Sequence, residues 1–160
     1  MLTRKNLFGM LAFAAAFGLA PANAQTVTPD PFVGTWIIKI NESRTGLPVF
    51  RAMHTYHGDG TISENSSLLP QLNENPAQGI WRRDGTQYKT VFQLFVYDDK
   101  KEYAGMVRVR GTVTFITADR IQGNFVVDFL SPDGAVDLNI DSADAVGVRL
   151  KLDSLSPALP

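Results

Sequence analysis

The sequence predicts an all-β protein, a single antiparallel barrel of eight or nine strands. Three observations carry this expectation. Apolar and polar residues alternate along most of the chain beyond residue 32, as in strands with one buried face. No stretch sustains the apolar period of about 3.6 residues that a packed helix requires. Glycine follows aspartate at Asp59-Gly60, Asp84-Gly85 and Asp133-Gly134, and these dipeptides punctuate the alternating runs where a tight turn needs a positive φ.

Taken in order, residues 1–24 read as a cleaved secretory signal. Arg4 and Lys5 supply positive charge, Leu7 to Ala20 is apolar and uncharged, Pro21 breaks the run, and Ala22-Asn23-Ala24 is a small-x-small cleavage site before Gln25. The apolar run is shorter than the roughly 20 residues of a membrane span. A secreted or periplasmic product with no membrane span is therefore expected. Residues 25–32 read as a flexible, proline-containing lead-in. The barrel domain is placed at 33–152 and a C-terminal tail at 153–160.

Within the domain, Val33–Asn41 and Val49–His57 alternate as strands, and Gly58-Asp59-Gly60 turns the chain into Thr61–Asn65. A long connection, Ser66 to Gln78, carries Leu68, Leu69 and Leu72 among polar residues and reads as a lid or packed loop. Gly79–Arg83 and Tyr88–Tyr97 flank Asp84-Gly85. Glu102–Ile116 follows the polar break Asp98–Lys101, and Arg120–Leu130 follows Thr117–Asp119. Ala135–Ile140 and Ala145–Leu152 complete the set.

Alternation assigns faces. Tyr88, Thr90, Phe92, Leu94 and Val96 point inward. So do Tyr103, Gly105, Val107, Val109, Gly111, Val113 and Phe115, and then Ile121, Gly123, Phe125, Val127 and Phe129. Inward glycines suit strands that bend to close a barrel. Tyr88, Phe92, Tyr103, Val107, Phe125 and Phe129 are thus the expected barrel lining, filling a core or walling a ligand cavity. The opposite faces are not cleanly polar: they carry Val91, Phe95, Tyr97, Met106, Ile116, Val126 and Leu130, which predicts self-association or cover by the Ser66–Gln78 connection.

The first strand opens Phe32-Val33-Gly34-Thr35-Trp36. This glycine-x-tryptophan, following a signal segment and followed by so many strands, resembles the calycin superfamily, in particular bacterial secreted lipocalin-like proteins, with relatives among allene-oxide-cyclase-type barrels. The resemblance implies structural roles for Gly34 and Trp36: the tryptophan closes one barrel end, and an arginine near the end of the last strand, here Arg149, packs on it. Alternation read on its own turns Val146, Val148 and Leu150 inward and Arg149 outward. The chain departs from lipocalins in lacking a helix-forming segment after the last strand, and from avidins in having Trp81 as its one further tryptophan.

At 160 residues, with 44% hydrophobic and 19% charged side chains, the chain suits one domain with a sizeable core. A net charge of -1 lacks the basic surplus of a nucleic-acid binder. The absence of cysteine excludes disulfides, thiolate metal sites and a cysteine nucleophile. His54 and His57 sit three apart, face opposite sides of one strand and read as polar surface residues, not a metal pair. There is no G-x-S-x-G elbow, phosphate-binding glycine loop or dinucleotide fingerprint. Asp98-Asp99 and the pair Asp141 and Asp144 read as turn chemistry. Arg82-Arg83, Arg108 and Arg110 read as a solvated face with cross-strand partners such as Asp128 or Glu102.

No catalytic residue, metal site or cofactor is assigned. The expected function is binding or carrying a small hydrophobic molecule. Two alternatives are an isomerase or cyclase of the allene-oxide-cyclase type, for which Glu64, Tyr88, Tyr103 and Asp128 are the candidate polar groups, and a protein-interaction module. The expected partners are a small hydrophobic ligand and a second copy of the chain.

Overall fold

The structure, a computed structural model, describes residues 28–41 and 43–152. The expected signal at 1–24, the first residues of the lead-in and the tail at 153–160 lie outside the described residues. Among the described residues there are eight strands and no helix: β1 (Gly34–Ile40), β2 (Phe50–Tyr56), β3 (Thr61–Ser66), β4 (Ala77–Asp84), β5 (Gln87–Tyr97), β6 (Tyr103–Thr117), β7 (Arg120–Leu130) and β8 (Val136–Arg149). Each pairs antiparallel with its neighbours in sequence, and β8 returns to pair with β1, so the sheet closes into a barrel. Closure leaves no unpaired edge strand. No helix among the described residues is long and apolar enough to cross a membrane.

The expected eighth and ninth strands are one. Asp141 and Asp144, read as turn residues, lie within β8. Asp141 faces inward at the barrel rim, where the Thr45 N–H and hydroxyl donate to it at 3.1 and 2.7 Å. Asp144 is exposed and pairs across the strand with Asn124. Both aspartates find partners without a turn.

One end of the barrel is filled by aromatic rings. Phe32, Trp36, Tyr56 and Tyr88 are buried there, with Trp81 and Phe115 packed against them. The Phe32 ring stacks on Tyr88 with centroids 4.1 Å apart and meets Tyr56 at 3.9 Å and Trp81, edge-on, at 5.4 Å. Phe32 was expected in a flexible lead-in, yet it is fully buried. Asp30 fixes it: the Phe32 N–H donates to Asp30 Oδ1 at 2.8 Å and the Tyr88 hydroxyl donates to the same atom at 2.9 Å.

Trp36 donates its Nε1–H to the Phe32 carbonyl at 3.0 Å. The Arg149 guanidinium lies over the indole, 4.2 Å from the ring centroid. Its Nη1 donates to the Val33 carbonyl at 2.9 Å and its Nε stands 3.4 Å from Asp119. The outward placement of Arg149 is therefore corrected. In β8 it is Asp141, Ala143, Ala145, Gly147 and Arg149 that share the inward parity, and Val146 and Val148 that do not.

The other inward rows are as expected, with two local exceptions. Between Val96 and Tyr97 the β5–β6 register shifts: Val96 pairs with Gly105, but Tyr97 pairs with Tyr103. The irregularity at Ala104 turns Tyr103 to the outer surface, where it is 49% exposed and packs edge-on against Phe95. Between Val127 and Phe129 the β7–β8 register shifts as well. There Asp128 alone stands opposite the segment Leu138–Ile140, and Asn139 takes a left-handed φ of 55°.

Glycines on the inner face also make room for rings. A β-carbon at Gly111 would lie 2.5 Å from the Phe125 ring, and one at Gly105, where φ is +142°, would lie 2.6 Å from Phe129 Cζ. Phe125 and Phe129 therefore pack closely on β6 at these glycines.

Candidate functional site

The end of the barrel opposite the aromatic plug is hollow. A cavity of about 420 Å³ lies there. Its walls are Ile40 from β1, Phe50 from β2, Phe92 and Leu94 from β5, Val107 and Val109 from β6, Phe125 and Val127 from β7, and Ala143 from β8. Two connections roof it. The β3–β4 connection supplies Leu68, Leu69 and Leu72, and the β1–β2 connection supplies Ser43, Thr45 and Leu47.

Both roofs are tied to the strands. The Tyr97 N–H donates to the Asn73 carbonyl at 2.9 Å, and Glu74 forms a bridge with Val96, so the β3–β4 connection extends the sheet beside β5. Leu68 and Leu69 are buried over the mouth. This connection does not cover the outer face of the long strands, one of the two expectations for it; its leucines turn to the barrel interior. The β1–β2 connection is held by the Thr45–Asp141 bonds and by the Arg44 N–H, which donates to the Ser142 carbonyl at 2.9 Å.

A polar patch interrupts the apolar wall. His54 and Glu64 are register partners on β2 and β3, and both are buried. The expected surface position of His54 is corrected: it shares the inward parity of Ala52 and Tyr56, while His57 is exposed. His54 Nδ1 lies 3.2 Å from the Tyr56 hydroxyl, and the ring meets Phe92 and Phe125 edge-on. Burial pushes the imidazole down to about 3, so it is neutral at physiological pH. The same burial pushes the Tyr56 phenol up.

Glu64 is 6% exposed, and its Oε2 has no hydrogen-bond partner. Burial, reinforced by the charge of Glu74, pushes its carboxyl up to about 7, against the opposing pull of the Ala77 N–H. Burial likewise pushes Glu74 up to about 7. Burial would raise Asp141 too, but hydrogen bonds from Thr45, Ser142 and Ser43 together hold it below the usual carboxylate range.

Of the residues expected to line a cavity, Phe92, Val107 and Phe125 do so. Tyr88 belongs to the plug, Phe129 covers Gly105 and Tyr103 is on the surface. Among the candidate polar groups, Glu64 faces the cavity. Asp128 is buried on the outer side, where Arg108 and Arg110 each donate to it through Nε at 2.8 Å. Those arginines are cross-strand partners of a carboxylate, as expected. His54, Glu74 and Asp141 are cavity residues that sequence reasoning missed. The parity of His54 with Tyr56 could have found the first; Glu74 sits in a connection without periodicity.

Comparison with protein-family models, curated proteins and solved structures finds no match to the chain. The described residues define a closed eight-stranded antiparallel β-barrel, plugged by aromatic rings at one end and hollow at the other.

Proposed function

We propose that this protein binds and carries a small hydrophobic molecule outside the cytoplasm, in the manner of the lipocalin-like calycins that it resembles. The cavity carries the reading: about 420 Å³ falls within the roughly 300–1,000 Å³ of small-molecule sites, which are mostly apolar with a few placed polar groups. Native mass spectrometry of the exported protein tests it. A stoichiometric apolar compound should co-purify and leave on denaturation. Protein that stays empty, and takes up no apolar probe when offered one, contradicts the carrier.

A second reading, an isomerase or cyclase of the allene-oxide-cyclase type, draws support from one observation: a buried carboxyl, Glu64, faces the same cavity. Conversion of the co-purifying compound, abolished in Glu64→Gln, would favour it over carriage.

Export is part of the proposal and rests on residues 1–24. Sequencing of protein from the envelope or medium should begin at Gln25, and an intact Met1 chain there would refute cleavage.

Self-association through the outer face is proposed as well. Phe95, Met106, Leu130 and Val136 are successive register partners across β5 to β8. Phe95 and Val136 are 46% and 47% exposed, and an exposed apolar row of this kind supports a contact between copies of the chain. Sedimentation at micromolar concentration should show a dimer or trimer that Phe95→Asp weakens. A monomer at every concentration would remove the interface.

A further inference from the structure

The polar lining of the cavity is one-sided in charge. Among the described residues, its titratable groups are His54 from β2, Glu64 from β3, Glu74 from the β3–β4 connection and Asp141 from β8. No lysine or arginine among the described residues lines the cavity. The walls that β5, β6 and β7 present to Glu64 contribute Phe92, Leu94, Val107, Val109, Phe125 and Val127, none of which titrates. His54 is neutral and cannot supply a counter-charge. Asp141 already accepts from Thr45 and Ser142.

Glu64 is different. It is more than nine-tenths buried, lines the cavity, and has an oxygen without a donor. Buried polar atoms are nearly always partnered, and an exception calls for an explanation, of which a bound donor is one. A ligand donor would reach Glu64 through an apolar chamber. It must also tolerate, or relieve, a second carboxyl whose charge acts on the first.

We propose that the cavity takes a lipophilic amine, its hydrocarbon body against the walls and its ammonium group donating to Glu64 beside Glu74. This rests on the carrier reading and narrows it. A cation satisfies the free oxygen and neutralises the repulsion between the two glutamates. A fatty acid brings a further carboxylate into the same patch, and like-charge juxtaposition rejects it. A metal ion is a poorer fit, because no group of three or more His, Cys, Asp or Glu side chains able to hold one occurs among the described residues.

The pairing has a pH signature. Glu64 and Glu74 both gain protons on passing below about 7, and protonated carboxyls attract an ammonium group less. His54 and Asp141 change little in that window, since both are held at lower values. Amine affinity should therefore rise between pH 5.5 and 8, while affinity for a neutral ligand stays flat.

The test is calorimetric titration of the delipidated protein with decylamine, decanol and decanoate, each below its aggregation concentration. At pH 8 decylamine should bind about 10- to 100-fold tighter than decanol, the worth of a charge-assisted hydrogen bond, and decanoate should bind weakest. Glu64→Gln should reduce the ratio of decylamine to decanol affinity at pH 8 about tenfold and flatten most of its rise with pH. Glu74→Gln should reduce both. If the three probes bind alike, if decanoate binds tightest, or if both folded variants keep the wild-type preference, the amine assignment is overturned and the carrier stands. If none of the three binds, the carrier reading fails, and the amine with it.

Discussion

Trp36→Ala should cost about 3–5 kcal/mol of folding stability, the range for deleting a large aromatic side chain from a core. Trp36 is fully buried, and three neighbours depend on it. The Phe32 carbonyl loses the indole N–H as donor, the Arg149 guanidinium loses the ring beneath it, and Phe115 loses an edge-on partner at 5.8 Å. Phe32 and Arg149 tie the chain before β1 to the end of β8, so the loss falls on the closure of the barrel. Trp36→Phe should recover part of the deficit by filling space, while leaving the Phe32 carbonyl without its donor. Equilibrium denaturation measures both variants. Because the plug lies at the end opposite the cavity, ligand affinity of the folded fraction should remain close to wild type. A Trp36→Ala cost near 1 kcal/mol, ordinary for a surface change, would show that the plug tolerates its loss.

The barrel and the inward rows of β5, β6 and β7 were legible because those strands are long and their alternation is clean. β8 misled for a physical reason. Its inner positions are small, Ala143, Ala145 and Gly147, because neighbouring side chains occupy the space: a β-carbon at Gly147 would lie 2.6 Å from Ile38 Cδ1 and 2.9 Å from Ile121 Cγ1. Its bulkier Val146 and Val148 face out, so hydrophobicity alone selects the wrong parity, and Arg149 goes with it. Tyr103 failed through a register shift, which inverts faces without a mark in composition. Phe92, Val107 and Phe125 followed from period two, whereas the polar cavity residues did not. His54 follows Met53, an apolar residue that is 47% exposed, so the phase of β2 is ambiguous in sequence. Glu74 reaches the cavity through the path of a connection, which no periodicity encodes.

Buried carboxyls act on stability with opposite signs here. Glu64 and Glu74 have folded-state values raised to about 7, above their unfolded values near 4.3. The folded state therefore binds more protons between those limits, and stability falls as pH rises from about 4 to 7. Glu64→Gln should remove much of that decline and leave the protein more stable than wild type at pH 8 in the absence of ligand. Asp128 works the other way. Hydrogen bonds from Arg110, outweighing burial and joined by those from Asn139 and Arg108, hold it well below the usual carboxylate range. Its contribution is complete above about pH 4, the unfolded value, and is lost as pH falls through the depressed folded value.

Asp128→Asn should accordingly cost about 3 kcal/mol at pH 7, the low end for removing one member of a buried ion pair. The carboxylate is completely buried, whereas Arg108 and Arg110 are 28% and 43% exposed at their side chains. The arginines can therefore turn partly toward water when their partner is lost, which sets the expectation at the low end. An asparagine keeps the shape but turns an amide toward one guanidinium, donor against donor. The effect should extend to the cavity rim. Asp128 accepts the Asn139 N–H at 3.0 Å, and Asn139, in its left-handed conformation, also receives Arg110 at 2.9 Å on its side chain and Arg44 on its carbonyl. This node sits at the register shift between β7 and β8, next to Ile140 and Asp141 of the cavity lining. Denaturation at pH 3, 5 and 8 should show the same gap between wild type and variant at pH 5 and 8, and a smaller one at pH 3, as the contribution of Asp128 begins to be lost below about pH 4. Hydrogen exchange should show faster opening of the amides at 137–141 in the variant. Equal stability at pH 8, with unchanged exchange in that segment, would mean that the arginines and Asn139 are held without Asp128.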